Sequence, residues 1–140
     1  MKLCYFGKDG GPDSTVWGFW PVEIKSLFSI ALLCFENGSR EAYHNHAFNS
    51  ISWVLSGGLT EDVKVEWQNS LLGKLVAGYT VYHWPSFKPI ITKRDQMHKV
   101  SSQGRSWVLT FRGPWKDKWN EYLPERNKVT TLTHGRKEID

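Results

Sequence analysis

His44 and His46 stand one residue apart in Tyr43-His44-Asn45-His46, inside a stretch that otherwise reads as a β-strand. Residues i and i+2 of a strand project to the same face, with α-carbons about 6.5–7 Å apart. Two imidazoles so placed can close on one cation at about 2.0–2.1 Å per nitrogen. A third ligand has to come from a neighbouring strand, and His98, in Asp95-Gln96-Met97-His98, follows a turn and opens a short predicted strand. Neutral imidazole suits iron, nickel, copper and zinc alike. The face that carries His44 and His46 runs on through Phe48, Ser50, Ser52 and Val54. Hydroxyls where apolar side chains ordinarily pack imply a wall around a site, with Ser50 and Ser52 as hydrogen-bond groups for a substrate or a metal-bound water.

Further polar residues are candidates for the same cavity. Arg112 ends the strand Ser106-Trp107-Val108-Leu109-Thr110-Phe111-Arg112, and Arg40 precedes the paired histidines. A guanidinium holds a carboxylate or phosphate through two hydrogen bonds, so both are read as substrate contacts. His83, His134 and Tyr82 are supporting or alternative groups. Glu41 has the opposite strand parity to the histidine pair, and Glu61 and Asp62, just after Gly57-Gly58, are expected at the rim. The chain has no phosphate-binding glycine loop, no dinucleotide fingerprint and no GxSxG nucleophile elbow. Its two cysteines, Cys4 and Cys34, form no CxxC pair, and Cys34, in an apolar run, is expected to be a buried thiol.

The elements that position these groups are mostly strands. Thr15–Lys25 reads as a strand broken near Pro21, and Ser26–Ser39 as an apolar run whose length permits strand or buried helix and whose Phe and Ile content and Asn37-Gly38 turn favour strand. Glu61–Gln68 alternates apolar and polar residues. Residues 69–78 are either a long hairpin loop or a helical turn. Tyr79–Trp84, Lys88–Arg94, Gln96–Ser102, Ser106–Gly113 and Lys128–His134 are further strands. In Pro114–Pro124, a proline suited to a first turn and the shared face of Trp115, Trp119 and Tyr122 predict a short C-terminal helix. Many short strands separated by turns indicate a sandwich or barrel.

With 140 residues the chain is expected to form a single domain, residues 1–140. Its 40% hydrophobic content is that of a folded protein, and its 14% aromatic content suits a two-sheet core. The net charge is +4, but Lys and Arg are scattered, so a nucleic-acid partner is not expected. The longest apolar run is too short to span a bilayer, and charge and glycine interrupt the first residues where a signal peptide would be apolar. A cytoplasmic location without membrane attachment is the expectation.

The segment from Gly38 resembles the first signature of the cupin superfamily: Gly, five residues, His-x-His, three or four residues, Glu, six residues, Gly. Here Gly38, His44-Asn45-His46 and Gly57 keep those spacings, and Ser50 replaces the acid. Of the second signature, His98 is kept, while Lys93 and Asp95 stand at the Pro and Gly positions and Ser102 at the Asn position. The stretches WGFW, MHKV, SWVLTFRGPW and TTLTHGR also resemble small single-domain cupins of phage and bacterial genomes, some labelled cysteine-dioxygenase-like.

The resemblance implies an all-β cupin jelly-roll (double-stranded β-helix) barrel and one divalent metal per chain, held by His44, His46 and His98. Without the glutamate the ligand set is neutral, as in thiol and diketone-cleaving dioxygenases. Fe(II) is therefore favoured over Zn, Ni or Mn, with O₂ and a small anionic or thiol substrate as reactants. Two alternatives stand beside this: a non-catalytic cupin that captures a nucleotide or sugar phosphate, and a metal-dependent isomerase or hydrolase. A homodimer paired through an aromatic-rich sheet face is also expected, with Trp17, Trp53 and Trp107 in the core or at that interface.

Overall fold

The computed structural model describes residues 1–12, 14–39, 43–69, 73–123, 128–134 and 137–139. In chain order its strands are β1 (Lys2–Lys8), β2 (Val16–Ile24), β3 (Phe28–Phe35), β4 (Gly38–Ser39), β5 (Tyr43–His44), β6 (Ser50–Ser56) and β7 (Leu59–Asn69). There follow β8 (Gly73–His83), β9 (Ile90–Thr92), β10 (Met97–Ser102), β11 (Ser106–Arg112), β12 (Trp119–Leu123), β13 (Lys128–Thr133) and β14 (Lys137–Glu138). They form two antiparallel sheets, the layered all-β architecture expected from the pattern of short strands and the jelly roll that the cupin resemblance implies. One sheet has the order β1-β2-β3-β11-β6-β9 and the other β14-β13-β12-β5-β10-β7-β8, with β4 also on β10.

The apolar core lies between the sheets at one end. Val16, Trp20, Ala31, Leu33, Val54, Leu59 and Val108 are buried there, with Phe35, Ile90 and Val100 packed against them. Period-2 alternation puts these residues inside: on β11, Ser106, Val108, Thr110 and Arg112 are buried while Trp107 and Phe111 face out. The first sheet is unusual in being apolar on its outer face too. Trp17, Ile51, Leu55, Trp107, Phe111 and Ile91 are each between 38% and 64% exposed on that side. Antiparallel sheets more often turn a polar face outward.

Several expectations change. The C-terminal helix is absent: residues 113–118 are irregular and Trp119–Leu123 is a strand, paired with β13 on one side and β5 on the other. The helical spacing of Trp115 and Trp119 is instead met by an edge-on ring contact between them at 5.9 Å. Two ladders outweigh the weak local preference of an aromatic-rich segment. Among the described residues there is no α-helix, and no helix long and apolar enough to cross a membrane. Of the undecided residues 69–78, Asn69 ends β7 and residues 73–78 open β8, two strands that pair from Leu59↔His83 to Asn69↔Gly73, while residues 70–72 lie outside the described residues. The strand around Pro21 does carry its irregularity, a register shift between Phe19 and Val22. Cys34 is buried and Cys4 exposed, and both are free thiols.

The turn from β6 to β7 is tied to the turn from β10 to β11 by buried serines. Ser106 Oγ accepts from Gly58 N at 2.9 Å and donates to Gly58 O at 2.9 Å, and lies 2.7 Å from Ser102 Oγ. Gly57 sits at φ +83°, where a Cβ would lie 2.6 Å from Arg105 O and closer still to Ser106 Oγ. We therefore expect Gly57→Ala to lower stability by more than ~1 kcal/mol, since alanine at positive φ is strained and there is no room for its methyl. Thermal or urea denaturation checks this, and an unchanged midpoint would contradict it.

Candidate metal centre

Strand β10 is the axis of the site. It lies between β5 and β7, so that His98 is the Cα partner of His44 on one side and Val63 on the other. Directly opposed residues of an antiparallel pair share a face and stand close, which brings two imidazoles together from positions far apart in the chain. His46 lies just past the end of β5. Its backbone N donates to Arg94 O at 3.1 Å, and Asn45 is tied to Asn120 through Asn45 N to Asn120 O at 3.1 Å and Asn120 N to Asn45 Oδ1 at 2.6 Å. These bonds hold the chain extended enough for His46 to keep the facing of His44, although the ladder has ended.

The three rings form a compact triangle. Centroids are 5.0 Å apart for His44–His46, 5.0 Å for His44–His98 and 4.9 Å for His46–His98. One ligand nitrogen from each lies within 4.8 Å of the other two. The cavity they line has a volume of about 360 Å³, within the usual range for a small-molecule site. Phe48 stacks near His46 at 5.1 Å and near Trp115 at 5.1 Å, which puts an apolar partition beside the histidines.

Glu61 completes the arrangement, and the expectation that it sits at the rim is wrong. It is 6% exposed, with Oε2 2.5 Å from His98 Nδ1 and Oε1 3.1 Å from His83 Nε2. Burial alone would raise its pKa. The hydrogen bond and charge of His98, then those of His83, more than offset this and hold the carboxyl below its ordinary value. An ionised carboxylate only accepts hydrogen bonds, so His98 Nδ1 and His83 Nε2 carry the protons. In neutral His98, the form that binds a metal, the other nitrogen, Nε2, is then the lone-pair atom. That atom is buried and has no hydrogen-bond partner. An imidazole with one nitrogen held by a buried carboxylate and the other bare is the arrangement found around protein-bound metals, where the carboxylate sets the tautomer and strengthens the ligand. The three residues therefore fit a divalent ion: neutral nitrogen donors, mutually close, one of them pre-oriented and lacking any other partner.

The remaining sequence candidates are dispersed. Ser50 and Ser52 do line the cavity, and Ser52 Oγ donates to Thr110 Oγ1 at 2.8 Å. Arg112 lines it as well but is engaged: Nη1 and Nη2 donate to Asp9 Oδ1 and Oδ2 at 3.1 and 2.6 Å. Arg40 lies outside the described residues. His83 reaches the cavity wall through Glu61. Tyr82 is 65% exposed and takes no part in that wall. His134 stacks on Trp115 at 6.0 Å, with Nε2 3.8 Å from Asp117 Oδ1, and also lies outside the wall. Glu121 was not anticipated: it is the Cα partner of His44 across β12 and lines the cavity. Its strand was read as helix, which hid the parity that turns it inward. For Glu61 a signal did exist, since it shares strand parity with the apolar Leu59 and Val63.

No protein-family model matches the chain, and no curated protein matches its sequence. Solved structures match its shape. A sugar phosphate isomerase of the cupin superfamily, from Silicibacter pomeroyi, aligns with TM-score 0.54 and 12% identity over 89% of this chain and 76% of its own. The chain has the cupin fold. KdgF from Halomonas sp. aligns with TM-score 0.55 and 12% identity over 80% of this chain and 89% of its own. HppE in its Fe(II) form aligns with TM-score 0.55 and 11% identity over 77% of this chain, which spans 55% of HppE. At these identities the cupin likeness concerns architecture alone.

Zinc or iron(II) titrated into chelator-treated protein should bind near one ion per chain, and His44→Ala or His98→Ala should abolish it. Glu61→Gln should weaken binding by roughly 10–100-fold, the usual effect of losing a carboxylate behind a metal-bound imidazole. Calorimetry with elemental analysis reads both, and unchanged affinity in Glu61→Gln would remove Glu61 from this role.

Proposed function

We propose that this cupin-fold chain is a mononuclear metal enzyme that uses His44, His46 and His98 to hold Fe(II) and oxidises a small substrate with O₂. The single observation that supports it most is the triangle of imidazoles with His98 fixed by Glu61 and bare at Nε2. Ser50, the counterpart of the acid in the cupin motif, is a cavity-lining residue outside the cluster, so the ligand set is neutral. A neutral set leaves the full charge of a divalent ion to attract an anionic donor of the substrate, such as a thiolate or carboxylate. Bound there, Fe(II) supplies the electrons and open coordination positions that reaction with O₂ requires. The protein's part is positional. Glu61 fixes the His98 tautomer, Phe48 and Trp115 keep the histidine end dry, and Ser50, Ser52 and Thr110 offer hydroxyls to substrate. Zn, Ni and Mn are the alternative ions.

Glu121 favours a second reading. A carboxylate beside His44 in the cavity wall could move a proton, as a metal-dependent isomerase or hydrolase requires without O₂. Oxygen uptake separates the two. After anaerobic Fe(II) reconstitution, a panel of thiols and hydroxy acids should include one that drives O₂ consumption, which His98→Ala should reduce by more than about 100-fold, the scale of losing a metal ligand or its support. Turnover without O₂ would support the isomerase reading instead. Ligand binding that survives chelation, with no turnover, would support a capture protein.

A second copy of this chain is the proposed partner. The exposed parts of Trp17, Ile51, Leu55, Trp107, Phe111 and Ile91 on the outer face of the first sheet amount to roughly 500–600 Å² at ~150–250 Å² per full side chain, the size of the largest apolar patches on monomers and of those that mark interaction sites. Sedimentation should show a dimer that Leu55→Asp with Phe111→Asp converts to monomer. A wild-type monomer at micromolar concentration would exclude it.

A further inference from the structure

The inner face of the first sheet carries a row of polar residues that crosses all its strands. Register pairs run Lys2↔Glu23, Glu23↔Ser29, Ser29↔Arg112, Arg112↔Ser50 and Ser50↔Thr92, one position from each of β1, β2, β3, β11, β6 and β9. Four of the six are buried: Glu23 at 8% exposure, Ser29 at 0%, Arg112 at 6% and Thr92 at 6%. The apolar core occupies the other end of the same face. Buried polar groups oppose folding unless partners compensate them, so a whole row of them needs a reason.

The row adjoins the histidines. His46 packs on Phe48, and the Arg112 guanidinium lies 4.7 Å from the Phe48 ring and 6.0 Å from that of Trp20. One phenyl ring thus separates the imidazole triangle from the polar row, and both line the same cavity.

The hydrogen-bond accounting shows what the row lacks. Arg112 is neutralised by Asp9, which takes two of its N–H groups. Glu23 lines the cavity, and among the described residues its carboxylate makes no hydrogen bond or ion pair. Trp20 is 3% exposed and lines the cavity, and its Nε1–H has no partner; the Nε1–H of Trp115, also in the wall, has none either. Ser29 Oγ, within the row, is likewise buried without a partner, so this end of the site combines an unpaired carboxylate, an unpaired hydroxyl and two unmet indole donors. A phosphate or carboxylate would satisfy the indoles and meet Lys2, Lys8 and Lys25 of the cavity lining, but would be repelled by Glu23. An ammonium would satisfy Glu23 but not the indoles. A hydroxyl both donates and accepts, and a vicinal diol does so twice.

We propose that this row is a subsite for the hydroxylated end of a small neutral or sugar-like polyol segment, with Glu23 accepting from its hydroxyls and Trp20 and Trp115 donating to them. As a substrate subsite it rests on the metal-centre reading, with the anionic end of the same molecule directed at the histidines. The binding itself does not rest on that reading.

The test uses chelator-treated full-length protein with ¹⁵N-labelled indoles and xylitol as the probe, with zinc titrated separately. Xylitol should shift the Trp20 and Trp115 indole signals saturably, assigned through Trp20→Phe and Trp115→Phe, and inorganic phosphate should not. Glu23→Gln should weaken xylitol binding by about tenfold, the scale of one hydrogen bond to a charged group, and leave zinc affinity within about twofold. If that variant does not fold, Trp20→Phe serves in its place with the same expectation. Zinc binding without any xylitol shift would overturn the subsite and leave the metal centre standing. A xylitol shift without zinc binding would support the subsite and remove the metal. Shifts by phosphate in place of xylitol, or no saturation with either, would overturn the proposal.

Discussion

Glu61 sits in the interior with each of its oxygens against an imidazole, and the geometry around the histidines depends on that contact. A lone carboxylate at that depth would be strongly unfavourable, and either histidine without it could rotate or change tautomer. Together they form a hydrogen-bonded unit that spans β8, β7 and β10. Removing one member of such a unit leaves a buried charge or an orphaned donor, which is why the unit behaves as a whole. From β10 the order passes to β5 through the His98–His44 pair, and from β5 to β12 through His44–Glu121.

The residue spacing carried much of this and not all. His44, His46, Phe48, Ser50 and Ser52 all line the cavity although the strand is interrupted between β5 and β6, but the chain bends at Ala47–Phe48, and Asn45 and Ala47 of the opposite parity line it too. The parity of the histidine pair, with His98 as the third member, was readable. The helix read over residues 114–124 was not sound, since nothing local announces that Trp119–Leu123 will find ladders on both sides. Arg112 looked like an anion contact because its partner Asp9 lies 103 residues away in sequence, in a loop. The polar row is harder still: its members are scattered from Lys2 to Arg112, and only the pairing of non-adjacent strands lines them up.

The first sheet inverts the usual distribution of polarity. Part of its inner face carries hydroxyls and charges, while Trp107, Phe111, Ile51 and Leu55 stand on its outer face. Its strands are therefore stabilised less by one buried face than by their ladders and by contacts such as Trp53 against Phe111, edge-on at 5.8 Å. The apolar core at the far end and the serine-tied turns at Gly57 and Gly104 keep the sheets together there. The other end is left free to be polar.

The two-residue strand β5 has a further consequence. Because its neighbours hold it directly opposite β10, the span between His46 and His98 is closed by the sheet before any ion arrives, and no chain entropy remains to be lost at that step. Each imidazole is present to the others at an effective concentration far beyond that of dissolved imidazole. A divalent ion that met such a pocket would be selected by this preset geometry as well as by the general order of affinity for nitrogen ligands. Which ion the histidines meet becomes a matter of cellular metal supply as much as of protein shape.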